Sequence, residues 1–245
     1  MTTRSTLADD LAVAHRGTSA APTGAPPPAD YADAMRVQYD VARTLDATLA
    51  GWKLGFSPEG VPVAGPLFAK LVQRSPASVA KRPRGFIIEI ELAFRLARDL
   101  PPKPYTRDEV LDAVDEALVG IELVAGRFGE PPAVDYLAFL ADNIGNAGYV
   151  TGASTRGFRK LDLTTLPVRF SVDGTVVEDK RGGHPQGDPV EPLRAYASKP
   201  IDAFGGLRKG QIITTGSLTK PLRVESGARI AASLDGVGDV ALVIA

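Results

Sequence analysis

Hydrophobic and polar positions alternate in two registers along this chain, and the change of register divides it. Residues 31–49 place Met35, Tyr39, Ala42 and Leu45 near one face and Arg36, Asp40 and Arg43 largely off it. That spacing predicts an amphipathic helix, with Gly51 as its stop signal. A shorter helical segment is predicted over residues 7–15. Between the two, GTSAAPTGAPPPAD (17–30) has the Pro and Gly content of an extended connector. WKLGF (52–56) reads as a short strand. The Gly and Pro residues from Gly55 to Pro66 then read as turns.

Strict period-2 alternation begins at Phe86. Phe86, Ile88, Ile90, Leu92, Phe94 and Leu96 form one apolar side of a strand over residues 86–97, and Ile87, Glu89, Glu91, Ala93, Arg95 and Ala97 the other. Thr106 and Glu109 have capping-box spacing and predict a helix running to about residue 119. A strand over 119–125 and a short helix over 134–140 follow. Asp173-Gly174 between the apolar runs 168–172 and 176–178 predicts a β-hairpin. A short helix over 190–198 and strands over 211–218, 223–225, 229–234 and 240–244 complete the pattern. The reading is α+β: a mixed, strand-rich barrel-like or rolled sheet with inserted helices and a helical N-terminal region. It divides into residues 1–75, helical with the connector, and 76–245, a strand-rich catalytic core.

Composition removes several classes of function. The chain of 245 residues has no cysteine, which excludes thiolate metal sites, disulfides and cysteine nucleophiles. Its two histidines, His15 and His184, leave little room for a His-rich metal site. The net charge of −1 provides no basic excess for nucleic acid or anionic membranes. No apolar run is long enough to span a bilayer, and no secretory h-region follows the first residues. A cytoplasmic, soluble protein is expected. The phosphate-binding glycine loops and the G-x-S-x-G nucleophile elbow are absent.

The informative chemistry lies on the strand at Phe86. Glu89 and Glu91 point the same way, roughly 6–7 Å apart along the strand, among Ile, Ala and Phe. Glu122, in GIELVA, is a third carboxylate in apolar surroundings. Two readings stand: a solvent-facing pair, or three oxygen ligands for a hard divalent cation. Periodicity permits the three to meet and does not require it.

Five segments carry a resemblance: GWKLGF (51–56), IEIELAFRLARDLP (88–101), GIELVAGRF (120–128), LADNIGNAGYVTG (140–152) and KGQIITTGSL (209–218). ARIAASLDGVGDVAL (228–242) adds to it. In order and spacing they resemble the 2-keto-4-pentenoate hydratase and 4-oxalocrotonate decarboxylase branch of the fumarylacetoacetate hydrolase superfamily. The resemblance implies that family's C-terminal-type fold. It implies Glu89, Glu91 and Glu122 as ligands of Mg²⁺ or Mn²⁺, and Lys53 and Asp142 as catalytic residues. Leu67, Phe68, Arg127 and Asn143 are implied as substrate-binding residues, and a homo-oligomer as the assembly. The implied reaction is hydration of a 2-hydroxy-2,4-dienoate, or its 2-oxo tautomer, in meta-cleavage breakdown of aromatic compounds. Lys53 would offset the substrate carboxylate or pass a proton, with its pKa lowered by the metal and by burial. Alternatives are decarboxylation of a 4-oxalocrotonate-type diacid and a non-catalytic partner subunit.

There are departures from the family pattern. Val63-Ala64-Gly65 lacks an acid often found there. Asp188 stands where a His-Pro pair is frequent, while His184 lies nearby in GGHP, either as an exposed loop residue or as a proton shuttle. Ile87 replaces a His of the hydrolase branch, which favours hydratase or decarboxylase chemistry.

Overall fold

The structure, a computed structural model, describes residues 6–17, 25–128 and 134–245. Residues 18–24 of the expected connector lie outside that range. Helix α1 (Leu7–Arg16) opens on a capping box between Thr6 and Asp9. Helix α2 (Tyr31–Thr44) opens on Asp30, whose carboxylate accepts the Asp33 N–H at 2.8 Å. It ends five residues before the expected boundary, because Leu45 caps it and Asp46 adopts a left-handed φ of 48° that reverses the chain. Gly51 is therefore not a helix stop; it lies within β1 (Leu49–Phe56).

The remaining elements are β2 (Pro62–Phe68), β3 (Val72–Arg74), β4 (Ala77–Val79), β5 (Phe86–Leu96), α3 (Arg107–Leu111), β6 (Val114–Val124), α4 (Tyr136–Ala141), β7 (Asn146–Thr155), β8 (Pro167–Val172), β9 (Thr175–Arg181), α5 (Glu191–Ser198), β10 (Ile212–Ser217), β11 (Leu222–Val224), β12 (Arg229–Leu234) and β13 (Gly238–Ile244). They form two sheets. The larger runs β2-β1-β10-β5-β6-β7-β3, with β11 also on β5; the smaller runs β4-β13-β12-β8-β9. Pairing is mostly antiparallel, with β1 parallel to β10, β3 parallel to β7 and β4 parallel to β13. The architecture is the expected α+β one, and the larger sheet curls into a half-barrel.

Four local expectations change. Residues 62–68 form a strand rather than turns. β2 is a sheet edge, where Pro62 and Pro66 can sit without removing a required ladder bond. The capping box at Thr106 is present, but α3 ends at Leu111 because β6 pairs with β5 from Val114 onward. Strand β7, rich in Gly and small residues, has no counterpart in the expected pattern. The division at residues 75/76 cuts through one sheet, since β1, β2 and β3 are bonded to β10 and β7. By contrast the hairpin at Asp173-Gly174 forms as expected, with φ of 50° and 79° at the two turn residues.

The two faces of the larger sheet have different work. Phe86, Ile88, Ile90, Leu92, Phe94 and Leu96 are all at most 2% exposed and join the main core. Burial of side chains of this size contributes about 1.5–3 kcal/mol each. β13 lies against β6 and β7, and α5 against β1, β2 and β10. Trp52, on that side of β1, meets Tyr196 of α5 and Phe204. The opposite face of β1 carries Gly51, Lys53 and Gly55. No helix among the described residues is long and apolar enough to cross a membrane.

Gly51 pairs with Ile212 so closely that a Cβ there would lie 1.8 Å from the Ile212 carbonyl oxygen. Gly51→Ala is expected to force β1 from β10 and cost about 1–3 kcal/mol or more, read as a lower urea midpoint. An unchanged midpoint would show that the two strands separate freely.

Candidate active site

Strand register assembles the site. Glu89 on β5 stands directly opposite Glu122 on β6, and Glu91 stands opposite Gly120. All three carboxylates share one face, with ligand oxygens within 4.8 Å of one another. Glu91 and Glu122 are fully buried, while the Glu89 side chain is 19% exposed. From β1, Lys53 reaches the same point, with Nζ 3.0 Å from Glu122 Oε1 and 3.8 Å from Glu89 Oε2. Its backbone neighbours Trp52 and Leu54 face the other way.

Each buried carboxylate divides its two oxygens. Glu91 Oε2 accepts the Thr214 hydroxyl. Glu122 Oε1 accepts Asn146 Nδ2 at 2.9 Å as well as Lys53. Glu91 Oε1 and Glu122 Oε2 have no partner among the described residues. A buried carboxylate oxygen without a donor is costly. Three carboxylates against one ammonium leave about two negative charges in a mostly apolar setting. Free oxygens, hard donors and this charge together fit a divalent cation held by Glu89, Glu91 and Glu122.

The electrostatics follow. Burial pushes the Glu91 carboxyl well above the usual range, and Glu122 and Glu89 push it further. Burial also raises Glu122, to about 7, against the pull of Lys53. For Lys53, burial acts downward, but Glu122, Glu89 and Glu91 outweigh it and hold the ammonium above its ordinary pKa. The expected lowering of Lys53 is thus reversed by the protein's own charges.

Around this cluster lies an apolar floor of Leu67, Ala93, Leu118, Tyr149 and Ile212. Gly120 leaves room for it: a Cβ there would lie 2.0 Å from the Tyr149 hydroxyl. Leu67 and Phe68 do not line the site together. Alternation sends Phe68 to the other face, where its ring lies 5.4 Å from His15 of α1. Gly65 stands opposite Lys53, and a Cβ there would be 2.7 Å from the Asn143 carbonyl. No acidic side chain fits at that position.

The turn after α4 supplies a further contact. Asn143, Ile144 and Gly145 all have positive φ, of 55°, 53° and 70°. For a β-branched residue this is strained, at a cost of order 1–3 kcal/mol. The turn places the Ile144 carbonyl 3.4 Å from Lys53 Nζ. Asp142 and Arg127 hold it from behind. Asp142 Oδ2 accepts the Arg127 N–H at 2.6 Å, and Arg127 Nη1 lies 3.2 Å from Oδ1, with both side chains buried. The structure thus pairs Asp142 with Arg127 rather than with Lys53. The amide oxygen of Asn143 is buried and without a partner among the described residues.

His184 is 6% exposed rather than a surface residue, and burial lowers its pKa. Asp188 pairs with Arg107. Thr214, Gly216, Asn146 and Tyr149 were not singled out by their spacing. They lie inside KGQIITTGSL and LADNIGNAGYVTG, so the segments were visible while the roles depended on register.

Comparison with known proteins agrees with this architecture. Residues 58–245 match the family model described as fumarylacetoacetate (FAA) hydrolase C-terminal. The chain belongs to that family. A 2-keto-4-pentenoate hydratase of Burkholderia vietnamiensis is 26% identical over 218 residues, covering 84% of this chain and 82% of its own. A 4-oxalocrotonate decarboxylase of Pseudomonas putida is 25% identical over 231 residues, covering 87% and 85%. Among solved structures, 4-oxalocrotonate decarboxylase from Pseudomonas putida G7, complexed with magnesium and adipate, superposes with a TM-score of 0.84 at 22% identity. It covers 98% of this chain and 96% of its own. The two relatives named here are thus a hydratase and a decarboxylase.

A cation must displace protons from carboxyls whose pKa values are raised. Mn²⁺ affinity, measured by calorimetry, is therefore expected to tighten as pH rises from about 5.5 to about 7.5, with proton release on binding at the lower end. A pH-independent affinity would contradict the raised pKa of Glu122.

Proposed function

We propose that the chain is a divalent-metal-dependent lyase that hydrates a 2-hydroxy-2,4-dienoate to a 4-hydroxy-2-oxo acid. The observation that carries this reading is the pair of unpartnered oxygens, Glu91 Oε1 and Glu122 Oε2, facing a third carboxylate and Lys53. We assign Glu89, Glu91 and Glu122 as the holders of Mg²⁺ or Mn²⁺. When bound, such an ion supplies Lewis-acid polarisation of a 2-oxo acid.

The rest is work for this chain's own side chains. Lys53 Nζ, kept protonated by its neighbours, pairs with the substrate's negative charge, gives a proton to the terminal carbon of the dienol and takes back the 2-hydroxyl proton, leaving a 2-oxo-3-enoate. Water then adds across the C3=C4 bond, its oxygen to C4, the electrophilic end of that conjugated system, and a proton to C3. Leu67, Ala93, Leu118 and Ile212 offer an apolar seat for the hydrocarbon part and keep bulk water from the ammonium. Arg127 and Asp142 fix the 142–145 turn, so that the Ile144 carbonyl orients Lys53; Asn143 belongs to the same wall. We place Phe68 in support of α1 instead of at the substrate. Assembly as a homo-oligomer is part of the proposal.

The test incubates purified protein and Mg²⁺ with 2-hydroxypenta-2,4-dienoate and, separately, with 4-oxalocrotonate. A 4-hydroxy-2-oxo acid from the first is the expected product. CO₂ release from the second without hydration would replace this reading by decarboxylation, and no turnover of either would favour a non-catalytic subunit.

Glu89→Gln and Glu122→Gln are expected to abolish metal-dependent turnover with the fold retained by circular dichroism; full wild-type activity in excess EDTA would refute the metal role. Lys53→Ala is expected to lower kcat about 10²–10⁴-fold while Mn²⁺ still binds. Unchanged kinetics would remove Lys53 from the mechanism.

A further inference from the structure

We infer that His184 is a positioning residue for the glutamate cluster: its ring holds the bulge of β10, and through that bulge the Thr214 hydroxyl that orients Glu91. The inference rests on the assignment of Glu89, Glu91 and Glu122 as metal ligands.

The bulge is visible in the register. Thr214 stands opposite Ala93, yet Ser217 stands opposite Glu91, so Thr215 and Gly216 together face the single residue Leu92, a bulge of one extra residue. Gly216, with φ of 123°, takes a backbone conformation that L side chains rarely adopt, and so lets the strand bulge here. Thr214, just before the bulge, gives its hydroxyl to Oε2. The donor to Glu91 thus stands at the edge of this irregular stretch.

His184 is seated on that stretch. A Cβ on Gly216 would lie 3.3 Å from His184 Nε2, so the ring covers the bare α-carbon. Nδ1 accepts the Gln186 N–H at 3.2 Å. That leaves the proton on Nε2, which donates to the Thr215 carbonyl at 2.9 Å. A backbone donor on one nitrogen and a backbone acceptor on the other define the neutral tautomer. Both nitrogens are engaged, so passing a proton would break a buried bond. The ring is built to hold the Thr215 carbonyl, and with it the position of the adjacent Thr214, whose hydroxyl holds Glu91 Oε2. With Oε2 of Glu91 fixed in this way, Oε1 stays turned into the cluster without a partner.

The test reads metal affinity in the absence of substrate. Mn²⁺ is titrated by calorimetry into the wild-type chain, His184→Gln and His184→Leu, and each melting temperature is recorded. Gln retains an amide donor that can reach the Thr215 carbonyl; Leu does not. His184→Leu is expected to weaken Mn²⁺ binding about 10–100-fold, and His184→Gln to restore it to within about threefold of wild type. Wild-type affinity in His184→Leu, even with a lowered melting temperature, would mean a purely structural ring and overturn the inference. So would a His184→Gln variant as weak as His184→Leu. Should His184→Leu not fold, Gly216→Ala, whose methyl group presses on the ring, must show the same weakening; wild-type affinity there overturns it. A wild-type chain that takes up no Mn²⁺ removes the metal assignment itself, and this inference with it.

Discussion

Three carboxylates drawn out of water around a single ammonium are the constraint on which this protein turns. Burying like charges within 4.8 Å of one another is strongly unfavourable unless donors or a cation compensate. The fold compensates in part. Thr214, Asn146 and Lys53 satisfy one oxygen of each buried carboxylate and leave the other open among the described residues. What remains is an electrostatic deficit of the size and sign that a divalent ion fills. Function is therefore coupled to stability at this site, because whatever occupies the cluster also relieves the strain of having made it.

The sheet order follows from the same requirement. Lys53, Thr214, Glu91, Glu122 and Tyr149 come from β1, β10, β5, β6 and β7, which are consecutive in the larger sheet. The face they share is kept open by glycine at Gly51, Gly65 and Gly120, where a Cβ would strike a carbonyl or the Tyr149 hydroxyl. The other face is filled by the large side chains of β5 and by α5. One sheet thus carries a dense core on one side and a hollow, charged surface on the other, and the core makes the hollow rigid. The strained turn at Asn143–Gly145, braced by Arg127 and Asp142, adds a wall that the sheet alone does not provide.

Much of this was legible before any coordinates. The alternation from Phe86 onward states which side of β5 is buried, and it places Glu89 and Glu91 together on the other. Capping boxes and the Asp173-Gly174 turn are local devices, completed within a few residues, and they form as their sequences predict. Failures came where a distant partner decides the outcome. The helix expected from Thr106 is cut short because β5 needs a partner along its whole length. Pro62 and Pro66 read as turns, yet a sheet edge tolerates them. Strand β7 carries small residues that give no pattern of their own.

The sequence alone determined the α+β class, the two-sided character of β5, the absence of thiolate chemistry and the identity of the acidic residues. Tertiary structure decided that Glu122 stands opposite Glu89, that Asp142 answers Arg127, that Phe68 turns away from Leu67's side, and that His184 is locked rather than exposed. The reason is the range of the forces. Propensity and periodicity act over a few residues, whereas register, burial and the choice of a charge partner depend on strands far apart in the chain. A carboxylate's chemistry is set by what the fold brings to it.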